Sequence, residues 1–368
     1  MMVLHEPCLA SVPAMKTLNN RVVVITGAAS GIGRALALEC ARRGARLMLA
    51  DLDTPGLARV SAEVVLIGAT SHMQTTDTGK ESDIFALATV CAEHYGAADV
   101  VINNAGVTLL SPVDKLETAD AHWLRNINFW GLVHGCRAFV PQLRSRPKAM
   151  LVNISSIFAM VSVPSQNMYT AAKAAVRGFS DSLRGELRYT PVAVLCVHPG
   201  GSRTNIVDRA RMTDLSSLQL GAPQIRAGFG QNARTTAEQA ALAIVRAMKA
   251  GKTRLLTGMD AKILDGVYRL VPSRASAWVS ALGRKRQRAA LAQLRTDASP
   301  DPVSSFSPNP LRAKVQPSKK FATGLQACRS KVFWKGFASP PKKVVPETPA
   351  FRPGSAPTGL KAAVSNRS

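Results

Sequence analysis

The sequence predicts an α/β fold, a doubly wound parallel sheet in a single domain, and three observations carry that expectation. Val22 to Ile25 is a run of four β-branched apolar residues, as expected of a strand buried on both faces. Gly27, Gly31 and Gly33 then punctuate a turn that leads into an Ala/Leu-rich helix. Further short apolar runs alternate with helical segments down the chain, the order that right-handed crossovers between parallel strands require.

The elements follow in order. The first helix spans Arg34 to Arg43 with Gly44 as its stop, and the second strand, Arg46 to Ala50, ends at Asp51. An amphipathic helix from Pro55 to Ile67 precedes a short strand, His72 to Thr75, that ends at Asp77. A helix from Glu81 to Tyr95 stops at Gly96, and the buried strand Asp99 to Ile102 runs into Asn103, Asn104, Ala105 and Gly106. One long helix is expected over Ala119 to Leu143, then a strand from Ala149 to Ile154 that ends at Ser155 and Ser156. The helix Met168 to Arg188 carries Tyr169 and Lys173, and strand Val192 to Val197 leads into the turn His198, Pro199, Gly200, Gly201. Ser202 to Thr235 reads as irregular, with Gly221, Pro223, Gly228 and Gly230, and so long a loop in a compact domain is expected to be a lid or binding loop. A helix at Ala237 to Lys249, a strand at Arg254 to Thr257 and a short helix at Ala261 to Leu270 complete the domain.

Composition bounds what surrounds this domain. With 368 residues and 46% hydrophobic content the chain has material for one large domain and an addition. From Arg284 onward it holds 17 Lys/Arg against 3 Asp/Glu and 11 of its 22 prolines, so +14 of the net +24 belongs to the tail. The expected organisation is an N-terminal extension over 1–17, the α/β domain over 18–272, a C-terminal helix within 273–296 and a disordered basic tail over 297–368. Met15, just before the first strand, is an alternative start. The six cysteines stand singly without C-x-x-C spacing, which fits reduced thiols in a cytoplasmic protein. Neither a signal peptide nor a membrane-spanning run is predicted.

The residues suggest chemistry before any comparison. A strand, a glycine-rich turn and a helix start form a phosphate cradle: the backbone approaches a pyrophosphate closely, and the N–H groups at the helix N-terminus stabilise its charge. Asp51 at the end of the second strand can accept hydrogen bonds from ribose hydroxyls. Tyr169 and Lys173, four apart on a helix, share one face, and an ammonium near a phenol favours its ionised form. Taken alone the pair also fits an ordinary surface contact, and Ser155 and Ser156 fit a simple turn.

Thr26, Gly27, Ser30, Gly31, Ile32 and Gly33, then Asn103 to Gly106, Asn128, Ser156, Tyr169 with Lys173, and Pro199, Gly200 and Thr204 occur in one order. The series resembles the motifs of the short-chain dehydrogenase/reductase family over about Leu18 to Leu270, including the thirteen-residue step from Ser156 to Tyr169. The resemblance implies a Rossmann fold and hydride transfer between a nicotinamide and an alcohol or carbonyl substrate, with no metal needed. Tyr169 would be the acid/base, Ser156 would hydrogen-bond the substrate oxygen, Lys173 would hold the nicotinamide ribose, and Asn128 would hold a relay water. Cofactor contacts are implied for Thr26, Gly27, Ser30, Gly31, Ile32, Gly33, Asp51, Asp77, Asn104, Ala105, Gly106, Tyr169, Lys173, Pro199, Gly200 and Thr204. Asp51 favours NAD, with NADP as the second choice and Arg34 and Arg59 as cations able to offset the penalty on a 2′-phosphate. A homodimer or homotetramer is implied.

Ile157, Phe158, Met160 and Val161, with Leu109 and Leu110, would line an apolar substrate pocket or belong to the core. Arg203, Arg209, Arg211, Arg226 and Arg234 lie in the expected loop, where an anionic substrate group or solvent would meet them. His198 reads as locally packed. The tail admits binding to nucleic acid or an anionic membrane through Phe333, Trp334 and Phe337 among lysines, though a disordered extension is the preferred reading. The alternative to an enzyme is a cofactor-binding adaptor tethered by that tail.

Overall fold

Val22–Thr26 forms β1, with all five side chains buried. Its alternation splits between two cores: Val23 and Ile25 pack on one side of the sheet and Val22 and Val24 on the other. Each such residue contributes about 1.5–3 kcal/mol relative to an exposed position. The structure, a computed structural model, describes residues 14–203, 206, 209–213 and 235–281.

Among the described residues the main sheet has seven parallel strands. They are β1, β2 (Arg46–Asp51), β3 (Ser71–Thr75), β4 (Val100–Asn103), β5 (Ala149–Ile154), β6 (Val192–Pro199) and β7 (Arg254–Thr257). Their order across the sheet is β7-β6-β5-β4-β1-β2-β3, so the chain reverses direction of winding between β1 and β4. Val24 sits in register with Met48 on one side and Val101 on the other. A crevice opens beyond the carboxyl ends of strands at such a reversal.

The first core holds α1 (Gly31–Ala41), α2 (Thr54–Leu66) and a helix at Ala237–Lys249; the second holds α3 (Glu81–Tyr95), α5 (Gly131–Arg144) and α6 (Asn167–Glu186). The Ala237–Lys249 helix, α7, starts with a reciprocal cap in which Thr236 accepts from the Gln239 amide at 3.2 Å and Gln239 accepts from the Thr236 amide at 3.0 Å. Met15 and Leu18 join the first core, and the Met15 amide donates to the Met248 carbonyl at the end of α7.

Several boundaries differ from expectation for physical reasons. The first helix begins at Gly31 rather than Arg34, because the glycine turn is itself the first helical turn. The expected single helix from Ala119 to Leu143 is instead α4 (Thr118–Arg125), a π-helical turn at Asn126–Trp130, and α5. Widening the helix there turns Asn128 inward, where its amide binds both backbone atoms of Val107, at 2.8 Å each. Gly131 follows because a Cβ there would strike the Thr78 carbonyl. Strand β6 extends through His198 and Pro199, which are therefore not part of a turn, because β7 pairs alongside as far as Thr257–Pro199.

The last expected helix starts at Met259, as α8 (Met259–Leu270), and a further helix over 272–281 begins before Ser276. Of the expected loop, Ser202–Arg203 pairs with Thr235–Thr236 and Arg211–Met212 pairs with Leu109–Leu110. The rest of the expected lid, the remainder of the C-terminal helix and the basic tail lie outside the described residues.

Candidate active site

The crevice at the sheet reversal is a cavity of about 790 Å³, within the usual range for small-molecule and cofactor sites. One end is built by the turn between β1 and α1. Gly27 and Gly31 adopt φ of +67° and +53°, where a side chain would be strained. A Cβ on Gly33 would collide with the Gly27 carbonyl, so the helix start packs directly on the turn. Gly27, Ser30, Gly31 and Ile32 line the cavity, whereas Thr26 and Gly33 shape the turn from behind. The Thr26 hydroxyl accepts the amides of Asn104 (3.0 Å) and Ala105 (3.1 Å), and Asn104 Nδ2 donates to the carbonyls of Thr26 (2.9 Å) and Gly27 (3.1 Å). Thr26 and Asn104 thus strap the ends of β1 and β4 together.

Asp51 and Asp77 also face this end. Asp51 accepts the Ala29 amide on one oxygen and the Asp53 amide on the other, both at 3.0 Å. Asp77 accepts the Gly79 amide at 2.9 Å. Arg34 is engaged elsewhere: its guanidinium grips Glu63 at 2.5 and 3.1 Å. Arg59 is exposed on α2. Arg209 does reach this cavity, pairing with Asp53 at 3.1 Å, while Arg211 pairs with Asp120 at 2.7 Å and stacks 3.8 Å above the Trp123 ring. Thr204 lies outside the described residues.

The other end brings Ser156, Tyr169 and Lys173 onto one wall. Ser156 leaves β5 and caps a short turn, accepting the Phe158 amide at 3.1 Å. Ser155 beside it donates to the Lys173 carbonyl at 2.8 Å, tying the strand end to α6. Lys173 is buried, and its ammonium donates to the Ile154 carbonyl at 3.0 Å, 5.8 Å from the Tyr169 ring centre. Burial draws its pKa down to about 8. Burial raises the Tyr169 phenol, with the Ser156 hydroxyl acting the other way, so the Lys173 ammonium would have to work against burial to favour the ionised form. Asn128 lies behind this wall; a Cβ on Gly106 would stand 3.3 Å from Asn128 Oδ1 and 3.4 Å from Lys173 Nζ. Val107 occupies both ends of the Asn128 amide, so this side chain shapes the Gly106 segment. Pro199 and Gly200 close the wall, and the Gly201 amide donates to Asp260 at 2.6 Å.

Of the six apolar residues expected to line a pocket, Ile157 and Phe158 do. Met160 and Val161 pack in a small core against α8, and Leu109 and Leu110 are buried in a two-residue strand; these four are core. Thr76, Thr78, Val107, Thr108 and Gln166 also line the cavity and were not legible as site residues. Only Gln166 carried a usable signal, standing one turn ahead of Tyr169.

His198 is buried, with Nδ1 3.3 Å from the Ser156 carbonyl. Burial and the Arg254 charge lower its pKa to about 4. The unfolded chain therefore binds this proton near pH 6.5 and the folded chain only near pH 4, so the stability that neutral His198 contributes is lost as pH falls through that window. Urea unfolding at about pH 7 and about pH 4.5 should show a smaller acid-induced loss in His198→Gln than in the native chain. Equal losses would remove His198 from the acid response.

The parallel sheet with its crevice at the strand reversal defines a Rossmann-type fold. The family model for short chain dehydrogenase matches residues 21–214. Over 269 residues the chain is 38% identical to SadH of Mycobacterium tuberculosis, named as an oxidoreductase, covering 73% of this chain and 96% of that protein. It is 34% identical over 263 residues to 1-deoxy-11-beta-hydroxypentalenate dehydrogenase of Streptomyces exfoliatus, covering 69% of this chain and 90% of the relative. Among solved structures, a short chain dehydrogenase/reductase from Burkholderia phymatum in complex with NAD superposes with a TM-score of 0.64 at 27% identity, covering 70% of this chain and 96% of that one. This chain belongs to the short-chain dehydrogenase/reductase family of oxidoreductases.

Proposed function

We propose that this chain is an NAD-dependent oxidoreductase acting on an apolar secondary alcohol or the corresponding carbonyl compound, with Tyr169 as acid/base. The observation that carries the reading is one cavity with Ser156, Tyr169 and Lys173 on one wall and, at its other end, a glycine cradle in which no Cβ fits at Gly33. The donor set suits a dinucleotide: Gly27 to Ile32 for the pyrophosphate, Asp51 for the adenosine ribose, Asp77 and Ala105 along the adenosine side, and Lys173 for the second ribose. When bound, the nicotinamide supplies the hydride acceptor or donor. Tyr169 exchanges the proton with the substrate oxygen, and Ser156 hydrogen-bonds that oxygen and fixes its position. A buried phenol is a weak base, so the Lys173 charge, retained below about pH 8, favours the phenolate during oxidation. Ile157, Phe158 and Val107 give the substrate end an apolar surface. The relative named for a hydroxylated pentalenate and the NAD-bound neighbour support the reading.

Asp51 decides between cofactors. Two unit charges about 4 Å apart at an effective dielectric of roughly 20 repel by about 4 kcal/mol, and a third of that is roughly tenfold in affinity. Glu63 holds Arg34 away from relieving this penalty, which leaves Arg209 as the cation lining that end among the described residues. The native enzyme should therefore show a kcat/KM for NAD at least about tenfold above that for NADP, and Asp51→Asn should narrow the gap. A native preference for NADP would overturn the assignment.

A further inference from the structure

Gln166 is 3% exposed, lines the same cavity as Ser156 and Tyr169, and its Oε1 has no hydrogen-bond partner among the described residues. A buried acceptor without a donor is costly, and most buried polar side-chain atoms are paired. Its position is deliberately built. Ser165, immediately before it, has φ of +63°, in the left-handed region that a serine seldom occupies. The Ser165 carbonyl accepts the Ser111 amide at 2.8 Å and Asn167 Nδ2 reaches the Ser111 carbonyl at 3.4 Å, so both neighbours of Gln166 are strapped to one residue. The Gln166 carbonyl accepts the Thr170 amide at 2.8 Å, which fixes its backbone at the start of α6 while the side chain faces the cavity.

We propose that Gln166 is a specificity-determining residue that accepts a hydrogen bond from a second hydroxyl on the substrate. The proposal rests on the oxidoreductase reading above and narrows its substrate class from simple apolar alcohols to diols and hydroxy ketones with an otherwise hydrocarbon frame. Oε1 needs a donor, which a hydroxyl supplies and a carboxylate does not. Standing one turn ahead of Tyr169, Gln166 meets a group offset from the reacting carbon, not the oxygen that Tyr169 and Ser156 share. A site built to bond a substrate hydroxyl discriminates against the analogue that lacks it, because the analogue leaves the buried acceptor unpaired.

The test uses the full chain with NAD and compares cyclohexanol with the vicinal and 1,3-cyclohexanediols, corrected for the number of equivalent hydroxyls. For at least one diol the native kcat/KM should exceed that of cyclohexanol by roughly tenfold to a hundredfold. Gln166→Met, an apolar residue of similar length, should bring the ratio close to one. Gln166→Glu keeps the chain length and an acceptor oxygen, so it should retain part of the preference. NAD binding by each variant reports that the cleft is folded. Turnover of cyclohexanol with no gain from any added hydroxyl, or a diol preference unchanged in Gln166→Met, overturns the role of Gln166 and leaves the oxidoreductase reading standing. Absence of cofactor-dependent turnover across the whole panel overturns both.

Discussion

Tyr169→Phe is expected to lower kcat by roughly 10² to 10⁴-fold, the range for losing a general acid/base, while NAD affinity stays within a few-fold of native. The substitution deletes one hydroxyl and keeps the ring that packs edge-on against Phe158 at 6.4 Å, so cavity shape is preserved. The loss should therefore fall on kcat rather than KM, since the missing proton transfer belongs to the transition state. Ser156→Ala provides the contrast: it removes a bond to the substrate oxygen and also the cap on the Phe158 amide, so KM should change as well. Near-native turnover by Tyr169→Phe, on any substrate the native enzyme accepts, would sink the mechanism.

Gly33→Ala should affect the opposite end of the cleft. An added Cβ overlaps the Gly27 carbonyl and stands 2.7 Å from Asn104 Nδ2, the group that holds the turn to β4. The helix start has to move away from the turn that it supports. Overpacking of this kind typically costs about 1–3 kcal/mol, a fall in Tm of very roughly 3–10 °C for a domain of this size. A displacement of about 1 Å in the cradle is expected to weaken NAD binding, and misplacing the bound cofactor by that much costs roughly a hundredfold in rate. Titration of NAD by fluorescence, with a thermal melt of the same sample, separates the two effects. Native affinity and Tm together would show that the turn yields freely at Gly33.

How far the sequence could be read depended on whether the cause was local. Val22 to Ile25 and Ala149 to Ile154 are legible as buried strands because a parallel sheet covered on both faces needs apolar runs, the second interrupted by Asn153 alone, which bonds Asn103 and Ser180. The helix Glu81 to Tyr95 was bounded by its own Gly96, at φ +78°. The π turn at Asn126–Trp130 was not legible, because the partner its Asn128 side chain meets, Val107, lies twenty-one residues away and is brought near only by β4. Ser156, Tyr169 and Lys173 were singled out by the order and spacing that carry the family resemblance; all three line one cavity, and their roles belong to the proposal. Leu109, Leu110, Met160 and Val161 could not be separated from Ile157 and Phe158 by composition; which apolar residue faces a cavity and which faces a neighbour is decided by tertiary packing. Gln166 escaped notice because its place one turn ahead of Tyr169 does not say whether its side chain will be buried.

The carboxylate of Asp51 also bears on how this chain can change over evolutionary time. One side chain holds the Ala29 and Asp53 amides and, in the reading proposed above, also repels a 2′-phosphate. A single step to Ala or Gly would remove the repulsion and release two backbone donors at once, so the first intermediate toward a phosphorylated cofactor would carry a loosened loop. Asparagine keeps one acceptor oxygen at the same reach, which makes it the passable first step, with a new cation arriving afterwards on a loop that is still ordered. On the proposed NAD assignment, the preference would be protected less by the strength of one repulsion than by the scarcity of viable neighbours in sequence space.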